Sequence, residues 1–305
     1  MSLNLAGLST YTDEAKNDLI RASLLKARTI EFITVQPGIK SSAAINILTS
    51  SPIWTAGGCG FTNSGTTSLT QRNITVCDVK KNESLCVNDL EAYWVQTRMN
   101  PGSYNENLPF EQVYSEEVAG QTAKFIEQLT WQGNVSTGSG NLALCDGLLT
   151  TIDGAAGVVT GSTASAITAS NIIDEVDSMV VAIPADAVDS EDLLLFMGND
   201  RYRTYAKALR DANLFHYDGK EDQLGRFEMY VPGTNVKVVG VGGLNNQSKM
   251  ILAEGSNLFM GTDLLSDAEA FRIFYSEDND EVRVIQKMKV GFQVAFPARI
   301  VTSLN

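Results

Sequence analysis

"NLFMGTDLLSDAEAFRIFYSEDNDEVRVIQKMKVGFQVAFPARIV", residues 257–301, is a run of alternating apolar and polar side chains near the end of the chain. Alternation with period two is what strands show when they bury one face. Ser266 and Glu269 make the capping box "SDAE", which predicts a single helical turn inside the run. The acidic "SEDNDE" at 276–281 has four carboxylates in six residues but lacks the D-x-[DN]-x-[DN]-G spacing of a calcium loop. Between two apolar strands it reads as a solvated hairpin turn. No side chain here belongs to a catalytic pattern, so these strands need a structural purpose.

Upstream, "VKVVGVGGLN" (236–245) follows a predicted strand, as a dinucleotide fingerprint does. Gly240 and Gly242 fit, but Asn245 stands where the third glycine belongs, and the next segment reads as strand rather than helix. Phosphate would find no helix N-terminus there, so the glycines imply a turn or a close backbone approach. Before it, "RFEMYVPGTNVKVV" predicts two strands joined by a turn at Pro232-Gly233-Thr234-Asn235. "DLLLFMG" predicts a buried strand, and "NDRYRTYAKALRDAN" a helix with Tyr202, Tyr205, Ala206 and Leu209 on one face. "NIIDEVDSMVVAI" predicts another helix, with Asn171 as its cap.

The longest predicted helix is "PFEQVYSEEVAGQTAKFIEQLTWQGN", with Pro109 near its first turn, apolar or aromatic residues at 114, 118, 125 and 129, and Gly133 just past its end. About 23 residues at 1.5 Å each make a strut of roughly 35 Å, against which something must pack. After it, residues 133–170 are rich in Gly, Ser, Thr and Ala and read as a linker or surface loop. Residues 52–100 read as a long hairpin excursion, with strands at "RNITVCDV" and "SLCVNDLEAYWV" and a turn at "KKNE". The first 51 residues predict an amphipathic helix over 12–28, then an extended stretch broken at Pro37-Gly38.

Composition narrows the function. With 23 Lys and Arg against 36 Asp and Glu, the net charge of −13 has the wrong sign for gripping a phosphate backbone. No window has the 18 consecutive apolar residues of a membrane span, and no leader pattern opens the chain, so it reads as intracellular. The four cysteines, Cys59, Cys77, Cys86 and Cys145, lack short paired spacings; in that compartment they are expected as reduced thiols, not as a zinc site or a disulfide framework. The single histidine, His216, has no triad or metalloprotease pattern around it. No enzyme, cofactor or metal is expected. What is left is an arm, a hairpin, a strut and edge-prone strands, shapes that other copies of the chain would complete.

Three stretches carry a resemblance: the helix ending "FIEQLTWQGN", the middle "NIIDEVDSMVVAIPADAVDSEDLLLFMGNDRYRTYAKAL", and the terminal run quoted above. In this succession the chain resembles the major capsid proteins of tailed bacteriophages, with the Hong Kong 97-type α+β fold. The resemblance implies an N-terminal arm (1–51), an extended E-loop (52–105), a peripheral domain with the spine helix (106–149), an axial domain (150–261) and C-terminal strands returning to back the helix (262–305). It also implies self-assembly into hexamers and pentamers of an icosahedral shell around double-stranded DNA, in a virion made in the host cytoplasm. DNA would be enclosed without sequence-specific binding, and scaffolding, portal or decoration proteins are the possible partners. With the arm starting near Met1, any scaffold is expected as a separate protein. The E-loop is expected to lie over a neighbouring copy, with Lys80 or Lys81 pairing with acids such as Glu116 and Glu117 there. An encapsulin-like nanocompartment is the alternative with the same fold; a nucleotide-dependent oxidoreductase using "VGVGGLN" is the remote one.

Overall fold

The computed structural model describes residues 27–60, 65–86, 110–162, 167–212, 227–263, 271–276, 278–279 and 281–303. Residues 12–26 of the helix predicted over 12–28, the capping box of Ser266 and Glu269, and His216 lie outside them. Among the described residues the first strands are β1 (Thr34–Pro37), β2 (Ser42–Pro52), β3 (Gly65–Thr75) and β4 (Cys77–Cys86). Helix α1 (Phe110–Gln132) and the short α2 (Leu148–Asp153) follow, then β5 (Val159–Ser162), α3 (Ile172–Val181), β6 (Leu193–Gly198) and α4 (Asn199–Asp211). The remainder is β7 (Glu228–Tyr230), β8 (Lys237–Val241), β9 (Ile251–Glu254), β10 (Leu258–Thr262), β11 (Phe271–Ser276), β12 (Glu281–Val294) and β13 (Val301–Ser303).

The quoted run supplies a sheet that backs the strut. β12 is 14 residues long and pairs antiparallel with β10, β11 and β4. Because β11 and β4 both pair with residues 281–286, they flank β12 on opposite edges. β1 adds to β10 in parallel. The face of β12 carrying Val282, Val284, Gln286 and Val290 is buried, in one core with Val118, Ile126 and Leu129 of α1. Positions 118, 122, 126 and 129 repeat at helical spacing, so the strut buries one stripe. The polar pair in this layer is satisfied mutually, Thr122 donating to Oε1 of Gln286 at 3.1 Å. Gly133 ends the strut as expected: a Cβ there would strike the carbonyl of Cys145, while its N–H still donates to Leu129.

The second sheet runs β5-β13-β9-β6-β8-β7. Every residue of β6 is buried, because both faces are covered. Leu193, Leu195 and Met197 pack with α3 and α4, while Leu194 and Phe196 point into the core of the strut. Phe196 lies 5.1 Å from Trp131, ring centre to ring centre, so the end of α1 plugs into this sheet. The helices over "NIIDEVDSMVVAI" and "NDRYRTYAKALRDAN", the strand over "DLLLFMG" and the turn at Pro232 to Asn235 all form where the sequence places them.

Several expectations are corrected. "KKNE" is not a turn; residues 80–83 lie inside β4, since alternate positions Val79, Lys81, Glu83 and Leu85 face the same side as β12's buried face and pairing overrides local turn composition. The hairpin starts ten residues earlier than read, at Ser42, and joins β2 to β3. Residues 133–162 are not a linker, for they contain α2 and β5. The last strand, β13, leaves the strut's sheet and inserts between β5 and β9. Cys77 and Cys145 form a disulfide; only Cys59 and Cys86 are free thiols. The spacing of 68 residues gave no hint, because the two meet only once β4 has packed behind the strut.

Candidate functional site

The hairpin of β2 and β3 divides into a root and a tip. From Ala43 to Ile47 alternate residues turn inward, and Ile47 and Ile74 are buried. From Leu48 outward the alternation stops, and every residue of 48–60 and 66–71 is exposed. Leu48 and Leu69 are cross-strand partners, each 67% exposed; Ile53 is 62% and Trp54 91% exposed. Five paired residues beyond Ile47 extend about 17 Å at ~3.4 Å each, before the connecting loop. An apolar pair and an indole on a protruding ribbon are the kind of surface that another molecule covers.

The root, by contrast, is held firmly. Lys289 donates to the carbonyl of Lys40 at 2.8 Å, and Gln293 to that of Asn73 at 2.8 Å. Val76 N–H donates to Ser41, and Ile39 N–H to Thr262. Gly291 and Gly261 leave room for the crossing chain: a Cβ at the first would meet the carbonyl of Thr75, and one at the second the side chain of Ile74. The Cys77–Cys145 bond then fixes the residue at which the chain enters the strut's sheet.

A second cluster joins the N-terminal segment, the strut and the six-stranded sheet. Thr29 donates to Glu127 of α1 through its N–H and its hydroxyl, and Trp131 Nε1 donates to that hydroxyl at 2.7 Å. Gly243 lies against the backbone of Glu127 and the ring of Trp131, and Gln132 donates to its carbonyl at 2.5 Å. The close approach read from "VGVGGLN" is thus present, and it serves packing. Beside it Glu228 bridges Arg28 at 2.9 Å and Lys237 at 2.6 Å. Burial raises the Glu127 carboxyl above its ordinary range, against the pull of Thr29, Gly243 and Arg28. Burial also raises Asp177, with Asp174 adding to it, and the phenol of Tyr205, with Asp177 adding. Glu127 and Tyr205 stand in packing positions, whereas Asp177 is exposed. Among the described residues no cluster of His, Cys, Asp and Glu could hold a metal ion, and no helix is long and apolar enough to cross a membrane.

Lys80 and Lys81 sit in β4, opposite Lys287 and Gln286, and not on the hairpin. Lys81 pairs with Glu83 of its own strand at 2.7 Å; Lys80 is exposed. Glu116 and Glu117 belong to the first half of α1, and their side chains lie outside the described residues. The residues that make the protruding surface, Leu48, Leu69, Ile53 and Trp54, were missed. Period-two spacing of Ala43, Ile45 and Ile47 was the signal that could have located their strand.

No family model matches the sequence, and no curated protein matches it. Solved structures are similar in fold. A chain of the satellite phage P4 procapsid including size determination (Sid) protein is 14% identical with a TM-score of 0.64, covering 94% of this chain and 90% of that one. The capsid of Myoviridae phage XM1 is 13% identical with a TM-score of 0.55, covering 89% of each. A virus-like particle from Pyrococcus furiosus is 11% identical with a TM-score of 0.50, covering 94% of this chain and 96% of that one. The chain therefore has the α+β fold of phage capsid proteins over about nine tenths of its length.

Proposed function

We propose that this chain is the major capsid protein of a tailed bacteriophage, a structural subunit without catalytic activity. It assembles through identical neighbours into hexamers and pentamers of an icosahedral shell that encloses double-stranded DNA. The observation that carries this reading is the hairpin: a rigid root, and a tip whose apolar side chains Leu48, Leu69 and Trp54 find no cover among the described residues of their own chain. On a fold shared with capsid chains, the cover is a second copy. In this reading the arm, E-loop, spine helix, peripheral and axial domains follow the capsid plan, the E-loop being the hairpin of residues 42–75. The net charge of −13 suits a wall that packaged DNA slides past. The exposed Lys80 on the outer edge strand β4 is offered to acids of a neighbour, Glu116 and Glu117 among them. Scaffolding, portal and decoration proteins would be partners in the host cytoplasm, where the shell is built.

Electron microscopy of the purified protein tests this directly, with closed particles as the expected outcome. A monodisperse monomer at high concentration would sink it. The likeness to the Pyrococcus furiosus particle supports a second reading, an encapsulin-like compartment. Nucleic-acid content separates the two: nuclease-resistant DNA in particles from infected cells belongs to the capsid, and protein cargo to the compartment.

A further inference from the structure

We propose that Cys77 and Cys145 form a redox staple: open thiols while the chain folds and assembles, and a disulfide in the finished particle. The timing rests on the shell reading, but the bond does not. Cys77 is where the chain, having left the hairpin at Thr75, enters the strut's sheet. Cys145 lies in the turn between the strut and α2, only 2% exposed. Its backbone carbonyl is pressed against Gly133 at the strut's end. Their α-carbons are 5.8 Å apart, within the range for a bridge. Closing the bond therefore ties the hairpin's root to the end of the strut, the two parts whose relative angle sets where the tip reaches.

The same pocket accepts the reduced form. Val290, the register partner of Cys77, presents its carbonyl 3.4 Å from the Cys145 sulfur. A thiol at Cys145 has an acceptor in place, and reduction requires the two sulfurs, bonded here, to rotate apart. The remaining cysteines, Cys59 on the tip loop and Cys86 at the far end of β4, are exposed and unbridged, and serve as internal controls. The oxidant is a low-molecular-weight disulfide such as oxidised glutathione: the two protein thiols lose two electrons and two protons, and the small disulfide is cleaved to two thiols. In a reducing cytosol the equilibrium favours the thiols until the particle leaves it. A bond that spans 68 residues constrains the unfolded chain strongly.

The test is thiol trapping with peptide mapping. Chain made in a bacterial cytosol and quenched at once with N-ethylmaleimide in denaturant should carry label at all four cysteines. Purified particles treated with oxidised glutathione and then labelled in denaturant should carry none at Cys77 and Cys145, which appear as a linked peptide, while Cys59 and Cys86 carry label or a glutathione adduct. Reducing those particles should lower the unfolding midpoint by roughly 10 °C. A Cys59→Ser/Cys86→Ser variant should show the same drop, and a Cys77→Ala/Cys145→Ala variant none. Label at Cys77 and Cys145 after oxidation, or a linked peptide already present in freshly made chain, overturns the proposal. If no particles form, the shell reading fails while the staple is still judged on the soluble chain: an unfolding midpoint unchanged by reductant overturns it.

Discussion

Thr29 gives two hydrogen bonds to one carboxylate: its N–H lies 3.0 Å from Oε2 of Glu127, and its hydroxyl 2.6 Å from Oε1. Glu127 is on the strut and Thr29 precedes β1, 98 residues away. The contact is buried, so water cannot replace either donor. The hydroxyl also accepts from Trp131, whose ring packs on Phe196 of the six-stranded sheet. Three parts of the chain thereby share one polar knot inside an apolar core.

Stability should depend on pH through Glu127. Burial raises its folded pKa above the ordinary value of 4.5, so the folded state holds the proton more tightly than the unfolded chain does. Its contribution is full below the ordinary value and is lost as pH rises through the raised one. Carboxylates elsewhere titrate alike in wild type and in Glu127→Gln, and cancel in the difference. The unfolding midpoint of wild type minus that of the variant should fall as pH is raised from 4 to 8. A difference that stays flat across this range would mean that Glu127 titrates normally.

Thr29→Val keeps the shape and removes the hydroxyl. Trp131 Nε1 is then buried without its acceptor, and Oε1 of Glu127 loses a donor. We expect a loss of about 2–3 kcal/mol in urea unfolding, with an unchanged m-value. Thr29→Ser, which retains the hydroxyl, should recover most of it.

Most of the second sheet was legible in the sequence because its elements are local: "DLLLFMG" is buried on both faces, and Tyr202, Tyr205 and Leu209 repeat at helical spacing. The strut was legible for the same reason. The hairpin was misplaced because the polar "KKNE" looked like the turn between its two strands, whereas the pairing of β4 with β12 spans 195 or more positions and leaves no local trace. The disulfide is long-range in the same sense. The apolar tip was missed because Leu48, Leu69 and Trp54 look like ordinary core residues until the fold shows that none of the described residues covers them.

Gly243 and Gly242 are neighbours with opposite tolerances. A Cβ on Gly243 would run into the backbone carbonyl of Glu127 and the Trp131 ring, whereas one on Gly242 meets nothing nearer than 3.8 Å. Gly243→Ala should therefore cost about 2–3 kcal/mol by prising the strut off the six-stranded sheet, and Gly242→Ala less than about 1. Equal effects of the two substitutions would show that the loop yields and that this contact is not tight.

The hairpin tip should matter for assembly and not for folding. Leu48 and Leu69 stand opposite each other and exposed, and Trp54 is more exposed than either, so replacing them removes no packing among the described residues. Leu48→Ser/Leu69→Ser and Trp54→Ser should leave the unfolding free energy of the isolated chain within about 0.5 kcal/mol of wild type. Each buried apolar side chain contributes about 1.5–3 kcal/mol, and a shell repeats that loss at every subunit contact. Light scattering should then show assembly delayed or absent, with Thr49→Ser on the same strand behaving as wild type. Variants that assemble normally would place the subunit contact elsewhere on the chain, whereas variants that unfold would mean that the tip packs on its own body.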